Sequence, residues 1–270
     1  MTSTDKVFAG GIPAIYENFM VPMIFEPYAV EMAKRLATLR PHDVLEVAAG
    51  TGVLTRAMAA SVGPDVHITA TDLNQPMLDI AIAKQSGGVA ITWKQADGLA
   101  LPFEDQSFDA VACQFGVMFF PDKVQGYREA RRVLRPGGSY IFAVWDRLES
   151  NEFVTTVSHA LADRFPDDPP RFMMRGPHGY HDLQVIRGEL EAAGFTSVNA
   201  ETVDQVSTAS SALHAATGYC QGNPLAAEIE VRAPGKLQEV TESVAEALEK
   251  RFGHGAIQGK ISAQIVTSVR

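Results

Sequence analysis

The stretch Val44-Leu-Glu-Val-Ala-Ala-Gly-Thr-Gly-Val-Leu-Thr55 constrains this chain more than any other. Residues 44–47 read as a short buried strand, 48–52 as a tight turn of small residues, and 53–60 as the start of a helix. A strand, a glycine turn and a helix N-terminus make a corner suited to a nucleotide. Small residues let a ligand lie against the backbone, and the first helical N–H groups point at it. Which nucleotide sits there decides between a group transfer and a hydride transfer.

The rest of the chain supplies the sheet such a corner needs. Strands are expected at 43–47, 67–72, 90–95, 108–114 and 139–145, with helices at 27–39, 53–62, from about 75, and 123–133. This alternation with short connections argues for an α/β fold, Rossmann-like, with a parallel sheet and helices on both faces. After Trp145 the rhythm breaks. Helices are expected at 151–165, 182–193 and across 208–252, with strands at 195–206 and 260–269. The expected organisation of residues 1–270 is one domain. Its core is 27–146, 182–206 and 259–270, preceded by an aromatic-rich lid at 1–26. Insertions 147–181 and 207–258 form a helical cap over the ligand edge, or else only pad the core. The apolar stripe Leu237, Val240, Val244, Leu248, Phe252 is read as packing.

Composition sets bounds. Hydrophobic residues at 46 % promise a packed core, and a net charge of −9 disfavours non-specific nucleic-acid binding. Two cysteines, Cys113 and Cys220, make neither a disulfide framework nor a multi-cysteine zinc site. The N-terminus lacks a secretory profile and no apolar run reaches membrane-span length. A cytoplasmic protein, monomer or homodimer, is the expectation.

Three features refine the corner. Gly50 and Gly52 match two glycines of a dinucleotide fingerprint, but the third position holds Thr55. Glu46, at the end of the first strand, is expected to face the cavity, where it would repel a pyrophosphate and tolerate an ammonium or sulfonium. Asp72 ends the second strand 20 residues after Gly52 and can accept two ribose hydroxyls. The alternative is an Asp that caps the helix starting near Gln75, and this feature alone fits NAD equally well. Asp97-Gly98 follows the third strand and can take an adenine amine, while Gln114-Phe115-Gly116 closes the fourth, at the carboxyl edge where open α/β sheets hold ligands.

Together these residues resemble the class I S-adenosylmethionine-dependent methyltransferases, in particular the ubiquinone/menaquinone-biosynthesis type and related bacterial small-molecule enzymes. The resemblance runs from Val44 to Trp145. It is carried by Glu46-x-Ala48-x-Gly50-Thr-Gly52, Thr71-Asp72, Gln95-Ala-Asp97-Gly98, Ser107-Phe-Asp109 and Arg132-Val-Leu-Arg-Pro-Gly-Gly138. Ala48 stands where many members carry glycine, although alanine is common in this subgroup. The resemblance implies a seven-stranded sheet whose last strand runs antiparallel, and S-adenosylmethionine as cofactor with S-adenosylhomocysteine as product. It implies that Gly50, Thr51 and Gly52 contact the methionine part and that Asp72 holds the ribose. Leu73 and Met77 would lie nearby, Ala96 and Asp97 beside adenine, and Gln114 and Phe115 close to the transfer point. Tyr16 would close over the cofactor.

The acceptor is expected to be a small molecule methylated on O, N, C or S. His178 and His181 are the candidates for a general base; the blander reading makes them surface histidines before a helix capped by Asp182. Their spacing could also bind metal, a reading given little weight. Asp168-Pro169-Pro170 is similar to the acid-Pro-Pro-aromatic turn of amino-methylating enzymes, but it follows the fifth strand and is trailed by Arg171. The rival function is a NAD-dependent oxidoreductase, which should show glycine at 55 and no acid at 46. A cofactor-binding module without turnover is a third.

Overall fold

Strand β1 (Asp43–Val47) lies mid-sheet, paired in parallel with β2 (His67–Asp72) on one side and β4 (Phe108–Gln114) on the other. The computed structural model describes residue 8 and residues 10–85 and 89–270. With β3 (Ile91–Gln95), β5 (Leu134–Trp145), β6 (Ser197–Ala209) and β7 (Ile257–Val269), the sheet has seven strands in the order β3-β2-β1-β4-β5-β7-β6. β7 runs antiparallel to both β5 and β6. The expected Rossmann-like α/β sheet with an antiparallel last strand is therefore present.

The central strands are buried because helices cover both faces. Those of the nucleotide half are α2 (Glu26–Thr38), α3 (Val53–Ser61), α4 (Gln75–Lys84) and α5 (Lys123–Val133). α2 starts with Pro27 in its first turn and buries Tyr28, Ala29, Met32, Ala33 and Leu36, one helical stripe. The Tyr28 hydroxyl then donates to the Val203 carbonyl, 2.9 Å away, tying α2 to β6. Asp122 caps α5 by accepting from the Gln125 N–H.

Strand bounds differ from expectation at β5, and at β6 and β7, which are expected at 195–206 and 260–269. β5 starts five residues earlier than the expected 139, because Arg135-Pro-Gly-Gly138 is a bulge inside the strand and not a turn before it. Leu134 already pairs with Phe108, the register then shifts, and Gly137 adopts φ +79°. From Ile12 the N-terminal segment is helical: α1 (Ile12–Ile15) runs into a π-helical stretch, Tyr16–Phe25, and on into α2. Pro22 sits inside it and lacks an N–H to donate, and the wide turns there accommodate the loss.

After β5 come α6 (Glu152–Arg164), α7 (Phe172–Arg175) and α8 (Leu183–Ala192), the last capped by Asp182. Between β6 and β7 lie α9 (Ala212–Gln221), α10 (Leu225–Arg232) and α11 (Leu237–Phe252). Val240, Val244 and Leu248 of α11 are fully buried, as the packing reading of that stripe requires. Asp168 pairs with Arg232 at 3.0 Å, which fastens the Pro-rich turn to α10. Among the described residues no helix is long and apolar enough to cross a membrane.

Candidate active site

The carboxyl ends of β1, β2 and β4 meet at one edge, and their turns build the floor of a cavity. The chain leaves β1 through Ala48, Gly50 and Gly52, all left-handed, with φ +57°, +57° and +81°. Glycine takes this conformation freely; Ala48 takes it at a cost of about 1–2 kcal/mol. The turn is held because Ala49 N–H donates to the Thr71 carbonyl at 2.8 Å and Gly50 N–H donates to Asp72 Oδ2 at 2.9 Å. The other oxygen of Asp72 accepts the Asn74 N–H at 2.8 Å. Asp72 therefore already holds both turns while still lining the cavity, without capping the next helix, whose N-cap is Asn74. Burial raises its pKa, and the backbone bonds from Asn74 and Gly50 oppose that.

β4 ends in a second tight turn. Phe115 is left-handed at φ +54°, and its ring stacks on Trp145 with centroids 3.9 Å apart and an interplanar angle of 7°. Tyr28 meets both rings edge-on. A packed aromatic cluster over-determines the strained residue, as strain at a functional edge requires. Gly116 sits against the first turn: a Cβ there would come 2.5 Å from Ala48 Cβ and 2.7 Å from Cys113 Sγ. Gln114 Nε2 donates to the Phe25 carbonyl at 3.0 Å, whereas its buried Oε1 has no partner among the described residues. A buried acceptor left unpaired in a cavity wall asks for a donor from a ligand.

The cavity encloses about 1240 Å³ counted out to its solvent-open mouth. Tyr16, Ala48, Gly50, Asp72, Leu73, Met77, Ala96, Asp97, Gly98, Gln114 and Phe115 all line it. Asp97 is on the exposed rim, where its Oδ1 accepts the Leu99 N–H at 2.9 Å. Tyr16 is stacked on Phe25 at 4.9 Å, so the N-terminal helix forms part of the roof. The neighbouring Glu17 pins that helix to Lys84 at 2.7 Å and to Arg56 at 3.1 Å. Arg56 in turn donates to the Thr51 carbonyl at 2.6 Å, linking the roof to the glycine turn.

Three of the cofactor residues expected from the sequence stand elsewhere. Glu46 does not face the cavity: it is 1 % exposed and accepts the Thr55 hydroxyl at 2.5 Å. Burial pushes its pKa up to about 8, so at neutral pH the isolated carboxyl is mostly protonated and repels no anion. Thr55, which stands where the dinucleotide pattern has its third glycine, is thus the partner that turns Glu46 inward. Thr51 and Gly52 lie behind the cavity wall. A Cβ on Gly52 would touch Ala81 and Trp93 at 3.0 Å, so that glycine serves helix packing. The Thr51 hydroxyl is buried without a partner.

The two histidines separate. His178 lines the cavity and is only 7 % exposed, which corrects the surface reading; His181 is half-buried outside it, its Nδ1 bonded to the His178 carbonyl at 3.0 Å. Among the described residues no cluster of three or more His, Cys, Asp or Glu could hold a metal ion. Residues the sequence reading passed over complete the far wall: Met20, Trp145, Val154, Phe172, Met173, Tyr219 and Ile261. Trp145 could have been flagged, since it ends a central strand at the ligand edge. The others come from helices whose placement no periodicity reveals.

The sequence profile of the ubiE/COQ5 methyltransferase family matches residues 23–216. A ubiquinone/menaquinone biosynthesis C-methyltransferase of Burkholderia mallei is 32 % identical over 193 residues, 68 % of this chain and 78 % of that protein. A protein of the same description from Saccharophagus degradans is 28 % identical over 206 residues, 71 % of this chain and 77 % of that one. Among solved structures, phosphoethanolamine N-methyltransferase 2 of Haemonchus contortus, in complex with phosphomonomethylethanolamine and S-adenosylhomocysteine, superposes with a TM-score of 0.59 at 14 % identity. That match covers 96 % of this chain and 56 % of that one, and the likeness is one of fold.

Proposed function

The chain belongs to the ubiE/COQ5 methyltransferase family, whose reaction is S-adenosylmethionine-dependent methyl transfer, and from the cavity we propose that its acceptor is an uncharged, largely apolar small molecule. Family membership displaces the nicotinamide-dependent alternative. One observation carries the proposal: the turns after β1, β2 and β4 share a single cavity with an apolar chamber walled by Phe25, Phe119, Trp145, Phe172 and Met173.

The residues present fit the cofactor. The left-handed glycine turn leaves backbone exposed to a ligand, with Gly50 opening toward Met77 and Tyr16. Asp72 supplies a buried carboxylate for the ribose hydroxyls. Ala96, Asp97, Gly98 and Leu73 frame a slot for the adenine, and Gln114 Oε1 offers an unpaired acceptor near the junction with the apolar chamber. Ala48 and Phe115 bound the same junction. Glu46, Thr51 and Gly52 act from behind, by shaping the turn. Cofactor binding supplies an electrophilic methyl group on a sulfonium.

What the protein itself contributes is alignment. An in-line displacement gains much of its rate from holding nucleophile, methyl and sulfur on one axis. The Phe115–Trp145 stack sits between the cofactor turns and the chamber, and Tyr16 with the π-helical segment closes the roof against water. The insertions 147–181 and 207–258 serve as an acceptor cap, and residues 10–26 as its lid, residues 1–7 and 9 of the expected lid lying outside the described residues. Among the described residues no lysine or arginine lines the cavity, so a phosphate or carboxylate on the acceptor would be buried unpaired at a cost of several kcal/mol.

The relatives named above are described as C-methyltransferases of ubiquinone and menaquinone biosynthesis, and an apolar aromatic acceptor suits this chamber as well. Transfer of tritium from methyl-labelled S-adenosylmethionine to a panel of uncharged and anionic aromatic compounds tests the proposal. Label should reach uncharged acceptors. Transfer to phosphorylated or carboxylated acceptors alone would refute it.

A further inference from the structure

His178 presents to the chamber a ring nitrogen acceptor whose bonding is incomplete. It follows Pro177 in the loop after α7, and its Nδ1 lies 2.8 Å from the Asp146 carbonyl oxygen. A carbonyl only accepts, so Nδ1 carries the proton and Nε2 keeps its lone pair. Among the described residues Nε2 has no hydrogen-bond partner, and the ring lines the cavity. The two asparagines on that wall are consumed by the fold. Asn151 Oδ1 accepts the Ser262 N–H at 2.9 Å, and Asn223 spans the Tyr219 carbonyl and the Leu225 N–H at 2.8 and 2.9 Å.

We infer that His178 Nε2 receives the hydroxyl of a flat, uncharged aromatic acceptor and takes its proton as the methyl group is transferred. This assignment rests on the methyl-transfer reading above. The surroundings fit a planar ring: His178 lies 6.0 Å from Trp145, which is itself stacked on Phe115, and Phe119 stacks on Phe172. In the step, the O–H bond breaks and an Nε2–H bond forms. The electron pair stays with the acceptor, which bonds to the methyl carbon while the carbon–sulfur pair goes to sulfur. One positive charge passes from sulfur to imidazole and leaves with the proton to solvent. Burial holds the His178 pKa down at about 4, His181 lowers it further, and the carbonyl of Asp146 with the carboxylates of Glu149 and Asp146 opposes them. The ring therefore waits unprotonated at neutral pH.

The test uses the full chain with S-adenosylhomocysteine, and 2-naphthol and naphthalene as probes. S-adenosylhomocysteine is titrated first, and failure to bind it would refute the methyl-transfer reading itself. With it bound, both probes should bind, and 2-naphthol alone should shift the ¹⁵N resonance of His178 Nε2. His178→Asn keeps an N–H for the Asp146 carbonyl and removes Nε2. That variant should bind S-adenosylhomocysteine as before, while the ratio of naphthol to naphthalene affinity falls about tenfold, the worth of one hydrogen bond. An unchanged ratio, an unmoved Nε2 resonance, or no binding of either probe beside bound S-adenosylhomocysteine would overturn the assignment.

Discussion

Replacing Gly116 by alanine tests the contact on which the candidate site depends, the close approach of the β1 and β4 turns. The added Cβ would meet Ala48 Cβ at 2.5 Å and Cys113 Sγ at 2.7 Å, against an optimum of about 3.5–4.0 Å between carbons. Gly116 has φ −103°, so backbone strain adds nothing and the effect is steric. Overpacking of this kind costs about 1–3 kcal/mol, and two simultaneous clashes put Gly116→Ala near the upper end, about 3 kcal/mol. Ala48→Gly removes one clash. By itself it is close to neutral, since relief of the left-handed alanine, about 1 kcal/mol, is offset by the added freedom of glycine in the unfolded chain. The double variant should therefore recover about 1 kcal/mol, because the Cys113 contact remains. Urea unfolding of the four proteins gives the coupling energy. Calorimetric titration should show S-adenosylhomocysteine affinity falling at least tenfold in Gly116→Ala, as the Gln114-Phe115 turn is pushed off Ala48. A Gly116→Ala protein as stable as its parent, or a cost unchanged in the Ala48→Gly background, would refute the reasoning.

Other outcomes follow from the same geometry. Gly50→Val should abolish S-adenosylhomocysteine binding in a thermal-shift assay, since a branched side chain would enter the cavity from a residue at φ +57°. His178 is neutral when folded, with a pKa of about 4, and near 6.5 when unfolded. Unfolded chains therefore take up the proton first, and stability falls as pH drops from about 6.5 toward 4, by up to about 3 kcal/mol at about 1.4 kcal/mol per pH unit. His178→Asn should remove that increment from urea midpoints measured across the window. Glu46 acts with the opposite sign. Its folded pKa of about 8 lies above the ordinary 4.5, so its contribution is full below pH 4.5 and is lost as pH rises toward 8. Glu46→Gln should flatten the loss between pH 7 and 8, and a slope that survives the substitution would contradict the inward placement of this carboxyl.

The nucleotide half of the molecule was legible because its signals are local. Periodicity and turn residues mark β2, β4 and α5 at the bounds observed, and the acids at 72 and 97 sit where strand ends require them. The failures are tertiary. Arg135-Pro-Gly-Gly138 reads as a turn by composition, but pairing with β4 draws it into a bulged strand. Glu46 was assigned to the cavity from its position at a strand end, yet a threonine hydroxyl nine residues later captures it. His178 looked like a surface histidine because its loop is rich in Gly and Pro. Its burial comes from the β5 end and the aromatic cluster, which no sequence window contains. The acceptor chamber was illegible for the same reason, being assembled from helices far apart in the chain.

What Asp72 and the glycine turn hold decides the function. Isothermal titration of the wild type with S-adenosylhomocysteine and with NAD, repeated on Asp72→Ala, measures this directly. One S-adenosylhomocysteine should bind per chain and NAD should not. Asp72→Ala should weaken binding about a hundredfold, the loss of two hydrogen bonds to a charged group. Binding of NAD in place of S-adenosylhomocysteine, or an affinity indifferent to Asp72, would contradict the cofactor assignment.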